Sequence, residues 1–408
     1  MHPFTGLATR EDGAVKVCCR SAPIGNIQDN TLEEIRNNDA IQLVRKQVLN
    51  GERPEVCKPC FDLEDQGVES LRQRHINGVI PEARINLYPN TPLQEIMPFE
   101  FPTIEIKLNN LCNLKCRMCN PLDSTNWTDW DKVVPFYKKE NNFLVPTIEG
   151  LVDKPGKYIG AFDDTDNWWA SFEKLLPHFR RVEFAGGEPL MDPQHYKILD
   201  MLKPYGKNIE IKYATNGTTL GISKGRTIHD YWPHFRSVAV NVSLDGIHDV
   251  YNYIRGNGDF SQVEANIKEI QKIPNVSRVV GAFTAQAGNI LQAAECIDYF
   301  INEMNIVFYS HRVGYPTCLS AQVLPQALKE EAIQRLEAVR ARLFTFDNIK
   351  KYPLLEKVTQ QQIKDNINYL RAKDQHHLWP DFLEFNRQLD ATRNQSLLSV
   401  VPEFKPYA

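Results

Sequence analysis

The sequence lacks the segments that direct a chain into or across a membrane. No stretch approaches 18 uninterrupted apolar residues, and the opening MHPFTGLATREDG lacks the basic and then apolar order of a secretion signal. An excess of one charge is also missing, because 47 Lys and Arg face 51 Asp and Glu, a net charge of -4. We therefore expect a cytoplasmic protein with no nucleic acid and no membrane as partner.

Disorder and low complexity are excluded by composition. Hydrophobic residues make up 42% of the 408 positions and charged residues 24%, which is typical of folded globular proteins. A chain of this length is expected to form two or three domains. Nine cysteines are present, and seven of them fall into three tight groups, Cys18 with Cys19, Cys57 with Cys60, and Cys112, Cys116 and Cys119. Clustered thiols in a reducing compartment indicate metal binding.

A strand and helix rhythm runs through residues 102–322. Six short β-branched runs alternate with stretches long enough for crossover helices, which predicts an α/β fold with a parallel sheet. The runs are TIEIKLN, RVEFAGG, NIEIKYATNG, SVAVNVSLDG, SRVVGAFTAQ and NIVFYSHRV. A long insertion between the first two strands, at about 121–178, carries Trp127, Trp130, Trp168 and Trp169. This insertion could fold over a functional site.

The flanking segments differ from this central region. Residues 1–80 hold two of the cysteine groups and read as a small cluster-binding domain, with one helix from Thr31 to about Asn50 opened by a Thr31-x-x-Glu34 capping box. Residues 81–101 are rich in proline and predict a linker. Residues 323–408 predict a helical C-terminal extension.

The loop Cys112-x-x-x-Cys116-x-x-Cys119 directly follows the first predicted strand of the parallel sheet. Three thiolates on one loop can hold three irons of a [4Fe-4S] cube and leave the fourth iron open for a cofactor. Loops that leave the carboxyl ends of parallel strands build active sites in α/β barrels. A structural zinc knot that lacks its fourth ligand is the alternative.

This loop resembles the signature of the radical S-adenosylmethionine (SAM) superfamily, and residues 100–320 resemble its partial (βα)6 barrel. The resemblance implies that Cys112, Cys116 and Cys119 are catalytic and hold a [4Fe-4S] cluster. It implies that the open iron binds SAM, that an electron from the cluster cleaves the sulfonium, and that a 5′-deoxyadenosyl radical abstracts a substrate hydrogen. An external one-electron donor of the flavodoxin or ferredoxin type is implied as partner.

Several further residues fit this resemblance. The run Gly186-Gly187-Glu188-Pro189 resembles the segment that receives the SAM amine, and the guanidinium of Arg255 suits the SAM carboxylate. Polar groups at strand ends are expected to bind the ribose or the methionyl carboxylate of SAM. Gln286 and Asn289, which follow the fifth strand, are expected to line the pocket of the adenine or of the substrate. The predicted SAM-binding set is Met118, Gly186, Gly187, Glu188, Asn216, Ser243, Asp245 and Arg255. Plain turn and packing roles are the alternatives for these residues.

The N-terminal cysteines resemble the SPASM/twitch domain, which holds an auxiliary iron-sulfur cluster. The resemblance implies a [4Fe-4S] cluster here. That domain usually follows the barrel, and here it precedes it, so how it docks stays open. Two ligand sets are compatible with the residues. The first is Cys18, Cys19, Cys57 and Cys60; the second is one of the adjacent pair with Cys57, Cys60 and an outside or absent ligand such as His2. Zinc is the alternative metal.

The substrate is not encoded in these motifs. The sequence favours slightly a peptide or protein, with a small-molecule dehydrogenase or epimerase reaction on a sugar or an amino-acid-like compound as the alternative. A non-catalytic iron-sulfur or zinc scaffold and a disulfide oxidoreductase that uses Cys57 and Cys60 are the alternatives from other classes. Cys296 is predicted to be a core thiol, and Cys318 to lie near the barrel mouth.

Overall fold

A computed structural model describes most of the chain. The described residues are 2–19, 21–73, 103–140, 144–163, 165–351 and 353–408. The predicted linker at 81–101 lies outside them, as do the last residues of the predicted N-terminal domain.

The described residues contain eleven strands in two sheets. They are β1 (Gly6–Thr9), β2 (Ala14–Lys16), β3 (Pro23–Asn26), β4 (Thr103–Lys107), β5 (Arg181–Ala185), β6 (Glu210–Thr215), β7 (Gly221–Ser223), β8 (Arg226–Thr227), β9 (Ser237–Ser243), β10 (Val276–Ala285) and β11 (Val307–Arg312). Nine strands form the main sheet in the order β11-β10-β9-β6-β5-β4-β1-β2-β3, and β7 pairs with β8.

The six strands predicted from the sequence are confirmed and run parallel. They are β4, β5, β6, β9, β10 and β11. Alternation of side chains explains their burial. Ile104 and Ile106 of β4 are fully buried, whereas Glu105 and Lys107, which alternate with them, are half-buried on the opposite face. The predicted partial radical SAM barrel is therefore present as an open parallel sheet.

The N-terminal strands extend this same sheet. β1 pairs in parallel with β4, with Leu7 opposite Ile104, and β2 and β3 follow it in antiparallel order. The N-terminal cysteine region thus docks on the edge of the barrel sheet at β4. This pairing answers the question of docking that the sequence left open.

The helices of the described residues lie between and beyond the strands. They are α1 (His2–Thr5), α2 (Leu32–Asn37), α3 (Asp39–Leu49), α4 (Lys58–Glu64), α5 (Trp130–Lys139), α6 (Leu144–Leu151), α7 (Asp166–Leu175), α8 (Pro193–Leu202), α9 (Ile228–Tyr231), α10 (His248–Arg255), α11 (Phe260–Gln271), α12 (Ala293–Asn302), α13 (Gln326–Arg342), α14 (Asp347–Lys351), α15 (Pro353–Ala372), α16 (Trp379–Arg393) and α17 (Leu397–Val400). The helical C-terminus is confirmed. None of the helices in these ranges combines the length and apolar character that a bilayer crossing needs.

The single helix predicted from Thr31 to Asn50 is wrong in one respect. The Thr31 and Glu34 capping box is present, but the helix ends at Asn37 and a second helix starts at Asp39. Asn38 between them has an extended backbone, and its side-chain oxygen accepts a hydrogen bond from the Ile41 amide. The side chain of Asn38 therefore caps a new helix in place of continuing the first.

Candidate active site

The cysteine loop, defined here as residues 108–120, leaves the carboxyl end of β4. Cys112 and Cys116 are buried and Cys119 is half-buried. The thiols of Cys116 and Cys119 hydrogen-bond each other. The sulfur of Cys112 accepts from the Leu114 amide at 3.5 Å and from Nδ2 of Asn216 at 3.7 Å. Donors on a sulfur are a means by which proteins tune iron-sulfur clusters.

The Gly186-Gly187-Glu188 segment packs directly on the start of this loop. The Gly187 amide donates to the Asn109 carbonyl at 3.1 Å, and the Glu188 amide donates to the Leu111 carbonyl at 2.6 Å. A Cβ on Gly187 would overlap the Leu111 carbonyl, so only glycine allows this approach. The structure therefore joins two motifs that lie about 70 positions apart in the sequence.

The Glu188 carboxylate is buried and held from three sides. Oε1 accepts from the Thr215 hydroxyl at 2.8 Å and from the Leu190 amide at 3.1 Å, and Oε2 accepts from the Asn216 amide at 2.6 Å. Burial raises the pKa of Glu188, and the hydrogen bonds oppose that shift. A carboxylate has about four acceptor positions, so this group retains capacity for a further donor.

Asn216 ties the third barrel strand to the cysteine loop. Besides its contact with Cys112, its Nδ2 donates to Oδ1 of Asn113 at 2.9 Å. Nδ2 of Asn113 in turn donates to the Thr218 hydroxyl at 2.9 Å. Asn216 thus lies at the predicted site, where it orients the loop.

Arg255 lies on the other side of the loop. The Lys115 amide donates to the Gly256 carbonyl at 3.1 Å, and the Arg117 amide donates to the Ile254 carbonyl at 2.9 Å. Nη1 of Arg255 donates to Oδ2 of Asp245 at 2.8 Å. The charge of Arg255 acts on both Cys116 and Cys119, and its buried Nε has no acceptor among the described residues.

Asp245, which the sequence predicted to bind SAM, has protein partners in the structure. It is fully buried, its Oδ2 binds Arg255, and its Oδ1 accepts from the Thr284 amide at 2.7 Å. Asn289 likewise serves the protein, because its Nδ2 donates to the carbonyls of Asp245 and Thr284. Asp245 therefore orients Arg255, which ends α10, and Asn289 ties the segment after β9 to the end of β10.

The remaining predicted residues lie nearby with fewer contacts. Met118 is half-buried and packs against Cys112, Leu114 and Cys116. Ser243 ends β9 and is half-buried. Gln286 is buried, with 2% of its surface exposed, and its Nε2 has no hydrogen-bond partner in the described part of the chain. Gln286 is thus a donor near the strand ends that a ligand could satisfy.

The cysteine thiols of both sites are suited to binding a metal, which stabilises the thiolate form. Burial raises the pKa of Cys112 to about 12 and that of Cys57 to about 11, so these thiolates form readily only when a metal binds them. Among the described residues, no three His, Cys, Asp or Glu side chains converge as a single metal ion would require.

The insertion contacts the cysteine loop, as the sequence suggested, whereas the contribution of the C-terminal helix was missed. Nε1 of Trp127 donates to the Cys116 carbonyl at 2.7 Å, so this insertion tryptophan packs against the loop. Arg117 of the loop binds Asp390 of α16, and Arg393 of α16 binds the Lys115 carbonyl. The partners are 11 to 278 positions apart. The only sign of these contacts in the sequence is Arg117, the charged residue between Cys116 and Cys119.

The N-terminal cysteines line a second site. Cys18, Cys57 and Cys60 face a cavity of about 440 Å³, which Pro3, Arg53, Glu64 and Arg72 also line. Cys19 does not line it and instead hydrogen-bonds the Glu105 carboxylate of β4. The structure therefore brings three of the four thiols to one cavity, and the ligand set of this site stays a prediction. The side chain of His2 lies outside the described residues.

The two isolated cysteines are buried. Cys296 on α12 is fully buried, which agrees with a core thiol, and its sulfur lies 3.8 Å from Oε1 of Gln292. Cys318 follows β11 in a short 3₁₀ helix and is 3% exposed. Burial raises the pKa of both thiols.

Comparison with known proteins identifies both regions. A family model described as the radical SAM superfamily matches residues 106–284, and one described as an iron-sulfur cluster-binding domain, SPASM, matches residues 1–61. None of the curated proteins matches the sequence.

Solved structures give remote matches. Native anSMEcpe with bound AdoMet and Cp18Cys peptide is 18% identical, with a TM-score of 0.38 over 60% of this chain and 61% of that one. Streptococcus suis SuiB bound to precursor peptide SuiA is 16% identical, with a TM-score of 0.36 over 79% of this chain and 67% of that one. The chain thus spans about 61% of anSMEcpe.

The matched ranges contain the cysteine loop, Glu188 and Arg255 in one case and the N-terminal thiols in the other. In the first range the segments of Glu188 and Arg255 pack on the cysteine loop, and in the second three thiols line one cavity. Residues 106–284 therefore match the radical SAM superfamily, and residues 1–61, which precede the barrel, match the SPASM iron-sulfur cluster-binding domain.

Proposed function

We propose that this enzyme cleaves SAM reductively at a [4Fe-4S] cluster held by Cys112, Cys116 and Cys119 and abstracts a hydrogen atom from a peptide or protein substrate. The observation that carries the proposal is the convergence of separate motifs on the cysteine loop. Glu188 hydrogen-bonds the loop at Leu111, and the segment of Arg255 and Gly256 pairs with it at Lys115 and Arg117. A loop clamped on both sides presents its thiols in a fixed geometry, as preorganised catalysis requires.

The chain's own residues would hold SAM as follows. Glu188 would accept the methionyl amine with its remaining acceptor position, because three of its four are already filled by protein donors. Arg255, oriented by Asp245, would donate its unpartnered Nε to the methionyl carboxylate. Met118, Gly186, Asn216 and Ser243 border the same space by position. When bound, the cluster supplies the electron for sulfonium cleavage.

The N-terminal site would hold the auxiliary cluster. We propose Cys18, Cys57 and Cys60 as its ligands, because these three thiols share a cavity and Cys19 points to Glu105. Its fourth ligand comes from outside this set. A cluster there would relay an electron or bind the substrate.

The substrate would lie on the face of the sheet that carries Glu105. Glu105, Glu183, Lys212 and Tyr309 are half-buried there, so this face is polar. Lys212 is paired with Glu183 at 2.7 Å, which leaves little free charge for a strongly ionic ligand. A neutral, hydrogen-bonding peptide chain suits such a face, and an uncharged sugar or amino-acid-like compound is the second candidate.

Anaerobic reconstitution tests the proposal. We expect about eight irons per chain, since each [4Fe-4S] cluster contributes four, and 5′-deoxyadenosine after addition of SAM and dithionite. A C112A/C116A/C119A variant should keep about four irons and form no 5′-deoxyadenosine. Retention of eight irons by this variant would refute the ligand assignment, and failure of the wild type to form 5′-deoxyadenosine would favour a non-catalytic scaffold.

The substrate class needs a separate assay. We expect a peptide fraction from the host proteome to accelerate 5′-deoxyadenosine formation, and deuterated peptides to transfer deuterium to it. Acceleration by the small-molecule fraction alone would replace the peptide with the second candidate.

A further inference from the structure

Two buried arginines connect α16 of the C-terminal extension to the cysteine loop, one from each side. Arg117 of the loop donates to Oδ1 of Asn386 at 3.0 Å, to Oδ1 of Asp390 at 2.5 Å and to Oε1 of Gln395 at 2.9 Å. Arg393, the last residue of α16, donates from Nη1 to the Lys115 carbonyl at 2.8 Å. The side chains of both arginines are only 1% exposed.

Arg393 also forms an ion pair with Asp129. Its Nε donates to Oδ2 of Asp129 at 2.9 Å, and the side chain of Asp129 is 14% exposed. Asp129 stands at the start of α5 in the insertion, so the pair joins the insertion to the C-terminal helix. Because a buried arginine without a counter-charge is costly, this pair keeps the guanidinium in place beside the loop.

The backbone of the loop receives two donors next to its middle cysteine. Arg393 binds the carbonyl of Lys115, and Trp127 binds the carbonyl of Cys116. The guanidinium of Arg393 lies 5.2 Å from the Trp127 ring centroid, so the two donors also stack on each other. The positive charge of Arg393 is therefore held against Cys116 in a region that water hardly reaches.

Local charge and hydrogen bonding set the reduction potential of an iron-sulfur cluster. A positive charge favours the reduced cluster because reduction adds a negative charge, and a negative charge opposes it. The buried position of Arg393 reduces screening by solvent. Removal of Arg393 would also leave Asp129 without its counter-charge, which adds to the effect.

We infer that Arg393 and Asp129 form a charge pair that sets the reduction potential of the cluster on Cys112, Cys116 and Cys119, with α16 as the element that positions it. Arg393 is a positioning residue in this scheme, because it acts through the Lys115 carbonyl. The inference rests on the proposed function, since it requires a cluster on this loop.

Midpoint potentials of the reconstituted holoenzyme test the inference. The titration is followed by electron paramagnetic resonance, and the signal that changes when SAM is added identifies the cluster with the open iron. R393Q should lower the equilibrium constant for reduction about tenfold, a shift of about 59 mV for a one-electron couple. D129N should shift the potential in the opposite direction, and R393Q/D129N should return it towards the wild-type value.

Two controls separate charge from structure. Arg387 lies on the same helix, is exposed and pairs with Glu384, so R387Q should leave the potential unchanged. R393K keeps the charge but loses the planar fork, so it should retain most of the wild-type potential. If R393Q binds no iron, D129N is compared with D129E: D129N should raise the potential, and D129E, which keeps the negative charge, should not. A rise in both variants would indicate a loosened, more solvent-exposed loop and would overturn the charge pair.

The outcomes are distinct. Shifts of R393Q and D129N in the same direction, or no shift at normal iron content, would overturn the charge pair while the proposed function stands. A wild-type spectrum that the C112A/C116A/C119A variant reproduces would show that no cluster sits on the loop, and would overturn both.

Discussion

Replacement of Gly187 by alanine is expected to separate the Gly186-Gly187-Glu188 segment from the cysteine loop. An added Cβ would overlap the Leu111 carbonyl oxygen, and would lie 2.6 Å from the carbonyl carbon of Leu111 and 2.7 Å from that of Asn110. These atoms belong to the main chain, so no side-chain rotation relieves the overlap. The loop or the segment must move.

The cost follows from two terms. Overpacking of a tight contact costs about 1 to 3 kcal/mol, and loss of the Glu188 amide bond to the Leu111 carbonyl adds about 1 kcal/mol, so G187A should lose roughly 2 to 4 kcal/mol of folding free energy. The displaced Glu188 should also weaken SAM binding and cleavage. The stability and the function therefore depend on the same contact.

Thermal unfolding and 5′-deoxyadenosine formation measure the two effects on reconstituted protein. G314A is the matched control, because no atom lies within 4 Å of the position its Cβ would take. We expect a clearly lower melting temperature and little SAM cleavage for G187A, and wild-type behaviour for G314A. Wild-type stability and activity of G187A would refute the view that this contact assembles the site.

Three further predictions follow from the site and the core. C18S should lose the auxiliary cluster, about four irons per chain, whereas C19S should keep it; equal losses would restore the four-thiol ligand set. E188Q keeps the shape of the side chain but loses a charge-assisted acceptor, so SAM should bind about 10- to 100-fold more weakly at unchanged iron content; unchanged affinity would remove Glu188 from the SAM site. Burial lowers the pKa of His195 from 6.5 to about 3. The unfolded chain therefore binds a proton that the folded chain refuses, and stability should fall as the pH drops from 6.5 towards 3. The melting temperature should decrease less for H195F than for the wild type between pH 7 and pH 5; parallel curves would contradict this.

The repetitive part of the fold is predictable from local sequence. The six parallel strands, the capping box at Thr31 and the helical C-terminus all follow from periodicity, β-branched runs and capping residues, because these signals act within a few positions. The break at Asn38 was missed since asparagine is compatible with a helix, and only its side-chain bond to Ile41 shows that it starts a new one.

Contacts between distant segments were not predictable. The pairing of Leu7 with Ile104 adds three strands to the sheet edge, yet neither residue carries a signal for the other. Arg393 and Lys115 likewise meet only in the folded chain. Their hydrogen bonds depend on the register of whole elements, which a single sequence does not reveal.

The roles of the site residues are predictable only in part. The spacing of Cys112, Cys116 and Cys119 indicates the cluster, because the ligand set is local. The structure changes the reading of Asp245, which binds Arg255, and of Cys19, which faces Glu105. Side-chain direction decided both, and adjacent positions such as Cys18 and Cys19 differ in direction without differing in residue type.

The most direct test of the account is the formation of 5′-deoxyadenosine from SAM and dithionite by reconstituted wild-type protein and by the C112A/C116A/C119A variant. The account predicts formation by the wild type and none by the variant, while the variant keeps its N-terminal iron. Formation by the variant, or none by a wild type with about eight irons, would contradict the claim that this loop cleaves SAM.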